Sequence, residues 1–83
     1  MKDTDLLRPE DTVTVTVRGP EGNILYKMTD KGFRTLLEAI KKAISESTLD
    51  VNPEDCVFDV ANDATGIAHN YRLNAHGNLK LIV

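Results

Sequence analysis

An α+β domain of two layers is the fold this sequence predicts: ββαβββ, with one amphipathic helix packed on a mainly antiparallel five-stranded sheet. Two observations carry that expectation. A single stretch, Thr29–Ser47, places apolar residues at the three-and-four spacing of one helical face, namely Phe33, Leu36, Leu37, Ile40, Ala43 and Ile44. Elsewhere short segments alternate polar and apolar residues between Gly, Pro and Asn signals, which is the period of half-buried strands.

Thr12–Arg18 (TVTVTVR) alternates strictly, with valines on one face and threonines on the other. Gly19-Pro20-Glu21-Gly22 is a turn signal, and Asn23–Met28 follows as the returning strand. The expected register sets Val17 opposite Ile24, Val15 opposite Tyr26, Val13 opposite Met28 and Thr14 opposite Lys27. The helix is expected to be capped by Thr29 and Asp30, with Arg34–Glu38 and Glu38–Lys42 pairs on its outer side. Asn52-Pro53 ends the connection that leaves it.

Asp55–Ala61 is the third strand and Ile67–Asn74 the fourth, turned by Asn62–Thr65 with Gly66. Their expected register aligns Val60 with Ile67, Phe58 with His69, Cys56 with Tyr71, and Asp55 with Arg72 on the other face. Asn74-Ala75-His76-Gly77-Asn78 has the signature of a type I turn closed by a G1 bulge. It leads into Leu79–Val83, pairing Leu73 with Leu79, Tyr71 with Leu81 and His69 with Val83. This last segment is the most apolar of the five and is expected inside the sheet, in the strand order 2-1-5-4-3; the order 2-1-3-4-5 satisfies the same chain directions. The helix-facing side then carries Val13, Val15, Val17, Ile24, Tyr26, Phe58, Val60, Ile67, Tyr71, Leu73, Leu79 and Leu81.

Hairpin, helix, then further strands resembles the β-grasp architecture of ubiquitin-like proteins in element order. The last residues are Leu81-Ile82-Val83, not the Gly-Gly that activated members of that family use, and no family or activity is carried over.

At 83 residues the chain is one domain, with residues 1–11 read as an N-terminal arm, broken at Pro9, and 12–83 as the folded unit. Leu6 and Leu7 of that arm either tuck onto the core or stay free for another surface. One cysteine excludes an internal disulfide framework, and no apolar run reaches the roughly 18 residues of a membrane span. Together with the mixed-charge N-terminus, this makes a cytoplasmic location and no membrane partner the expectation.

The residues that could carry chemistry do not assemble into a site. Cys56, His69 and Tyr71 are expected on the covered side of the sheet, where a thiol acts as a small hydrophobe. Cys56, His69 and His76 have 12 and 6 residues between them, which matches no common zinc spacing. Asp59 and Asp63 lack a cleft for acid–base work, and the glycines at 19 and 22 lie between strands rather than before a helix, so no phosphate cradle forms. Neither catalysis, nor a metal, nor a cofactor is expected.

Charge is unevenly placed. Glu46, Asp50, Glu54, Asp55, Asp59 and Asp63 fall in a run from 43 to 71 that has no Lys or Arg, whereas Lys31, Arg34, Lys41 and Lys42 cluster in the helical stretch. The expectation is a small non-catalytic protein-binding domain, an inhibitor or adaptor of the phage or mobile-element type, presenting the acidic run to a basic partner. The alternative is a nucleic-acid-binding module using the basic helix face, although a pI near 5.2 and the absence of Trp speak against it. A threonine-rich outer sheet face with Arg18, Lys27 and Arg72 is a further docking surface. Leu25 and Ile82 are expected on it, and an open sheet edge admits a homodimer.

Overall fold

A computed structural model describes residues 8–48, 50–74 and 79–82, less the side chains of Ile67 and Leu81. Its elements are β1 (Val13–Arg18), β2 (Ile24–Asp30), α1 (Leu36–Ser47), a single 3-10 turn (Pro53–Asp55), β3 (Val57–Asn62), β4 (Ile67–Leu73) and β5 (Leu79–Leu81). The five strands form one antiparallel sheet, and α1 packs on β1 and β2, so the α+β two-layer architecture holds.

The strand order is β2-β1-β3-β4-β5, the second of the two orders the sequence allows. β5 is therefore an edge strand, not an interior one. β3 takes the place beside β1 because its six residues match β1 along its whole length, from Val13↔Asn62 to Arg18↔Val57. That register sets Val15 against Val60 and Val17 against Phe58, and all four are almost completely buried. β5 has only three paired residues; short edge strands limit pairing with other chains.

Both hairpin registers differ from the expected ones by two residues, which preserves the faces. Val15 meets Met28, Val17 meets Tyr26, Val13 meets Asp30 and Thr14 meets Thr29, whose hydroxyls lie 3.0 Å apart. The turn explains the shift. Gly22 donates its amide to Gly19 O at 2.9 Å, Gly19 donates to Asn23 O at 2.8 Å, and Gly22 adopts φ +85, a conformation that a side chain would strain. The register then slips at Val17/Arg18, pairing Ile24 with Arg18 and leaving Ile24 59% exposed rather than in the core. In the second hairpin Phe58 meets Tyr71, Val60 meets His69 and Asn62 meets Ile67, so Cys56 lies before the paired region. Asn62 there accepts amides through its side chain from Ala64 at 2.9 Å and through its carbonyl from Gly66 at 2.8 Å. The β4–β5 register is as expected, Leu73↔Leu79 and Tyr71↔Leu81; the turn at 75–78 and Val83 lie outside the described residues.

The helix begins at Leu36, seven residues after the start of the stretch Thr29–Ser47 expected to hold it. Thr29 and Asp30 complete β2 by pairing with β1, and Gly32 at φ +94 turns the chain away while donating its amide to Pro9 O. Thr35 is the N-cap: its hydroxyl accepts the Glu38 amide at 3.2 Å, and Glu38 reaches back to accept the Arg34 amide at 3.0 Å. This is a variant of the capping box, legible as Thr35-x-x-Glu38. Leu36, Ala39, Ile40 and Ala43 form the buried face, Ile44 is partly buried against it, and Phe33 is buried from the preceding loop. Leu37 is only half-buried.

Residues 8–11 dock on the domain. Asp11 is only 6% exposed; its carboxylate accepts from Asn62 Nδ2 at 3.2 Å and Arg8 Nε at 3.4 Å. Leu6 and Leu7 lie outside the described residues.

Candidate functional site

The helix covers one side of the sheet; the other side has no second layer among the described elements. Alternation sends the valines of β1 inward and leaves Thr14, Thr16 and Arg18 outward. The strand registers then align outward residues from different strands into rows. One row begins with Arg18 and Val57, which are partners, and continues to Arg72, because Phe58↔Tyr71 sets Val57 beside Arg72. It ends at Lys80, the partner of Arg72. The next row runs Lys27, Thr16, Asp59, Asn70, and reaches Ile82, whose amide donates to Asn70 O at 2.9 Å.

Where the rows meet the first turn there is an open depression of about 470 Å³, lined by Arg18, Gly19, Pro20, Gly22, Asp55, Val57, Asp59, Asn70 and Arg72. Gly19 is small for a reason: a Cβ there would meet Asn23 Oδ1 at 3.0 Å and Leu25 Cδ1 at 3.2 Å. Leu25, 38% exposed, thus stands at the rim. Inside, Arg18 Nε donates to Asp59 Oδ2 at 2.5 Å. The expected Asp55–Arg72 ion pair is not made. Arg72 instead faces Lys80, like charge directly opposite like charge.

The six acids of the predicted surface are distributed over both layers. Asp55 and Asp59 line the depression, with Glu54 adjacent in the 3-10 turn. Asp63 lies at the far end of β3, about 20 Å away by strand rise. Glu46 is on α1 and Asp50 on the connection after it. Of the predicted basic stripe, Lys31 and Arg34 precede the helix, and only Lys41 and Lys42 are on it. Lys42 forms an ion pair with Asp30 and lies over the Phe33 ring, 5.7 Å from its centroid. The hydrogen bond from Lys42, aided by the Lys31 amide, holds the Asp30 carboxyl below its ordinary value, and the same bond raises Lys42. The helical pairs Arg34–Glu38 and Glu38–Lys42 are replaced by the cap bond from Arg34 N and by the Lys42–Asp30 bridge.

The thiol of Cys56 is fully buried and contacts Asn52 O at 3.6 Å. Burial, with Asp55 nearby, pushes it up, away from the thiolate that a nucleophile needs. His69 stands edge-on to Tyr71 with ring centroids 6.4 Å apart, opposite Val60 rather than Phe58, and His76 is outside the described residues. Among the described residues no three of His, Cys, Asp and Glu gather as metal ligands, and no helix is long and apolar enough to cross a membrane. Sequence reasoning missed Lys80 and Asn70 as site residues; their signal was the alternation of β4 and β5, which puts both on the outward side.

No family model, no curated protein and no solved structure matches this chain.

Proposed function

We propose that this chain is a small non-catalytic domain that binds another protein, as an inhibitor or adaptor does, through the open face of its sheet. One observation carries the reading. The side opposite the helix bears a depression walled by Arg18, Asp59, Asn70 and Arg72, with exposed apolar residues Leu25 and Ile82 at its flanks. Charged groups around a recess, with apolar contacts at the margin, are what a specific protein partner reads. Asp55 and Asp59 bring part of the acidic run to this place, Asp59 bridged to Arg18, so the run does not form one continuous surface. The nucleic-acid alternative draws less support, because Lys42 is engaged by Asp30 and all four aromatic rings lie on the covered side or in the core.

Affinity capture from native extract, with and without nuclease, tests the reading. The wild-type chain retains a protein in both conditions. A folded variant carrying Arg72→Glu loses it. Capture that vanishes with nuclease, or that persists in the variant, overturns the proposal.

A further inference from the structure

We propose, resting on the protein-binding reading above, that the partner segment is acidic and lies across the strands of the open sheet face. The chain as a whole is negative, yet this face gathers Arg18, Lys27, Arg72 and Lys80 against Asp59 on β3 and Asp55 in the depression. Asp59 is already engaged by Arg18 at 2.5 Å. Lys27, Arg72 and Lys80 form no ion pair with any described residue. Arg72 and Lys80 are moreover direct cross-strand partners, an arrangement that lowers the stability of the free domain. A carboxylate placed between them relieves that repulsion, so the cost in the free chain becomes a gain on binding.

Geometry sets the length of the segment. From β2 to β5 there are four inter-strand steps of about 4.8 Å, or about 19 Å, which an extended peptide spans with about six residues. Leu25 at one flank and Ile82 at the other supply apolar contacts at its ends. Thr14, Thr16 and Asn70 offer neutral hydrogen-bonding groups between the charges. A polypeptide suits this face better than a nucleic acid, because among the described residues the face has no aromatic ring on which a base could stack.

The test is an amide-shift NMR titration of the intact chain with decaglutamate, repeated with decalysine and with oligothymidylate, on wild type and on Lys80→Glu. Decaglutamate is expected to perturb the amides of Thr16, Lys27, Asn70, Arg72 and Lys80 while leaving those of α1 unmoved. Lys80→Glu is expected to bind it about tenfold more weakly. The same variant is expected to melt at a higher temperature than wild type, since it turns a like-charge pair into an opposite one; that result excludes misfolding as the cause of lost binding. Perturbation confined to α1, unchanged affinity in Lys80→Glu, or tighter binding of oligothymidylate overturns the inference. Binding of decalysine at Glu54 and Asp55 also overturns it, while leaving the protein-binding reading standing.

Discussion

Arg18 Nε and Asp59 Oδ2 meet at 2.5 Å on the open side of the sheet, a diagonal bridge between β1 and β3 that their direct partners, Val57 and Thr16, leave room for. The bridge ties β1 to β3 and takes up the carboxylate of Asp59, leaving Asp55 as the other acid of the depression. Both side chains are partly exposed, at 44% and 25%, so solvent screens much of the attraction. A double-mutant cycle with Arg18→Ala and Asp59→Ala is expected to give a coupling of about 0.2–1 kcal/mol that shrinks as salt is added. Coupling that is unchanged by salt would contradict the exposed character of the pair.

The register of the first hairpin has a direct consequence for stability. Met28, not Ile24, belongs to the core, at 6% against 59% exposure. Met28→Ala is expected to cost about 2–5 kcal/mol. Ile24→Ala is expected to stay within about 0.5 kcal/mol of wild type. Urea midpoints decide between this register and the one that pairs Val17 with Ile24.

Thr35 starts the helix through its hydroxyl. Thr35→Ala is expected to lower stability by about 1 kcal/mol, and Thr35→Asp, which keeps an acceptor oxygen, to restore most of it. Denaturant unfolding at constant slope measures both.

Thr48 closes the helix in the left-handed region, at φ 47 and ψ 56, and is the sole non-glycine residue with positive φ among those described. A β-branched residue is strained there. Thr48→Gly is expected to gain up to about 1 kcal/mol, raising Tm by about 4–8 °C per kcal/mol in a domain of this size. Thr48→Ala, which keeps a Cβ, is expected to gain less.

Acid should loosen the docking of residues 8–11. The Asn62 amide, and after it Arg8, hold the Asp11 carboxyl below its ordinary value despite opposition from burial. A group with a lowered folded pKa adds stability above its unfolded value and loses it as pH falls through the folded one. Stability is therefore expected to drop as pH goes below about 4, less steeply in Asp11→Asn. Lys42 works in the opposite direction: raised by Asp30, it contributes fully below its ordinary value of 10.5 and loses that contribution at higher pH. Urea midpoints across pH read both limbs.

Much of the fold was legible in the residues because it rests on local periodicity. The alternation of TVTVTVR assigned Val13, Val15 and Val17 to the core, and the three-and-four spacing assigned Leu36, Ile40 and Ala43. Face assignment survived where the registers were off by two, since a strand has a period of two, and failed at Ile24, where the slip at Val17/Arg18 broke that period. The site was less legible. Arg72 opposite Lys80 already followed from the expected β4–β5 register, but Asp55 was expected to neutralise Arg72, and only the β3–β4 register, which sets Val57 beside Arg72 instead, showed that this pair is not made.

By itself, then, the sequence determined the element order, the two layers and, Ile24 apart, which residues face the core, because these follow from the spacing of apolar residues along a few turns or a single strand. Tertiary structure decided the neighbours. Whether β3 or β5 lies beside β1 depends on how well two distant strands match over their whole length, a comparison no local pattern contains. The helix start likewise depended on pairing: Thr29 and Asp30 could cap a helix, but their hydrogen bonds and position in β2 went to β1 instead. The alignment of Arg18, Arg72 and Lys80 across three strands arises only from that pairing, and with it the face on which a partner is proposed to lie.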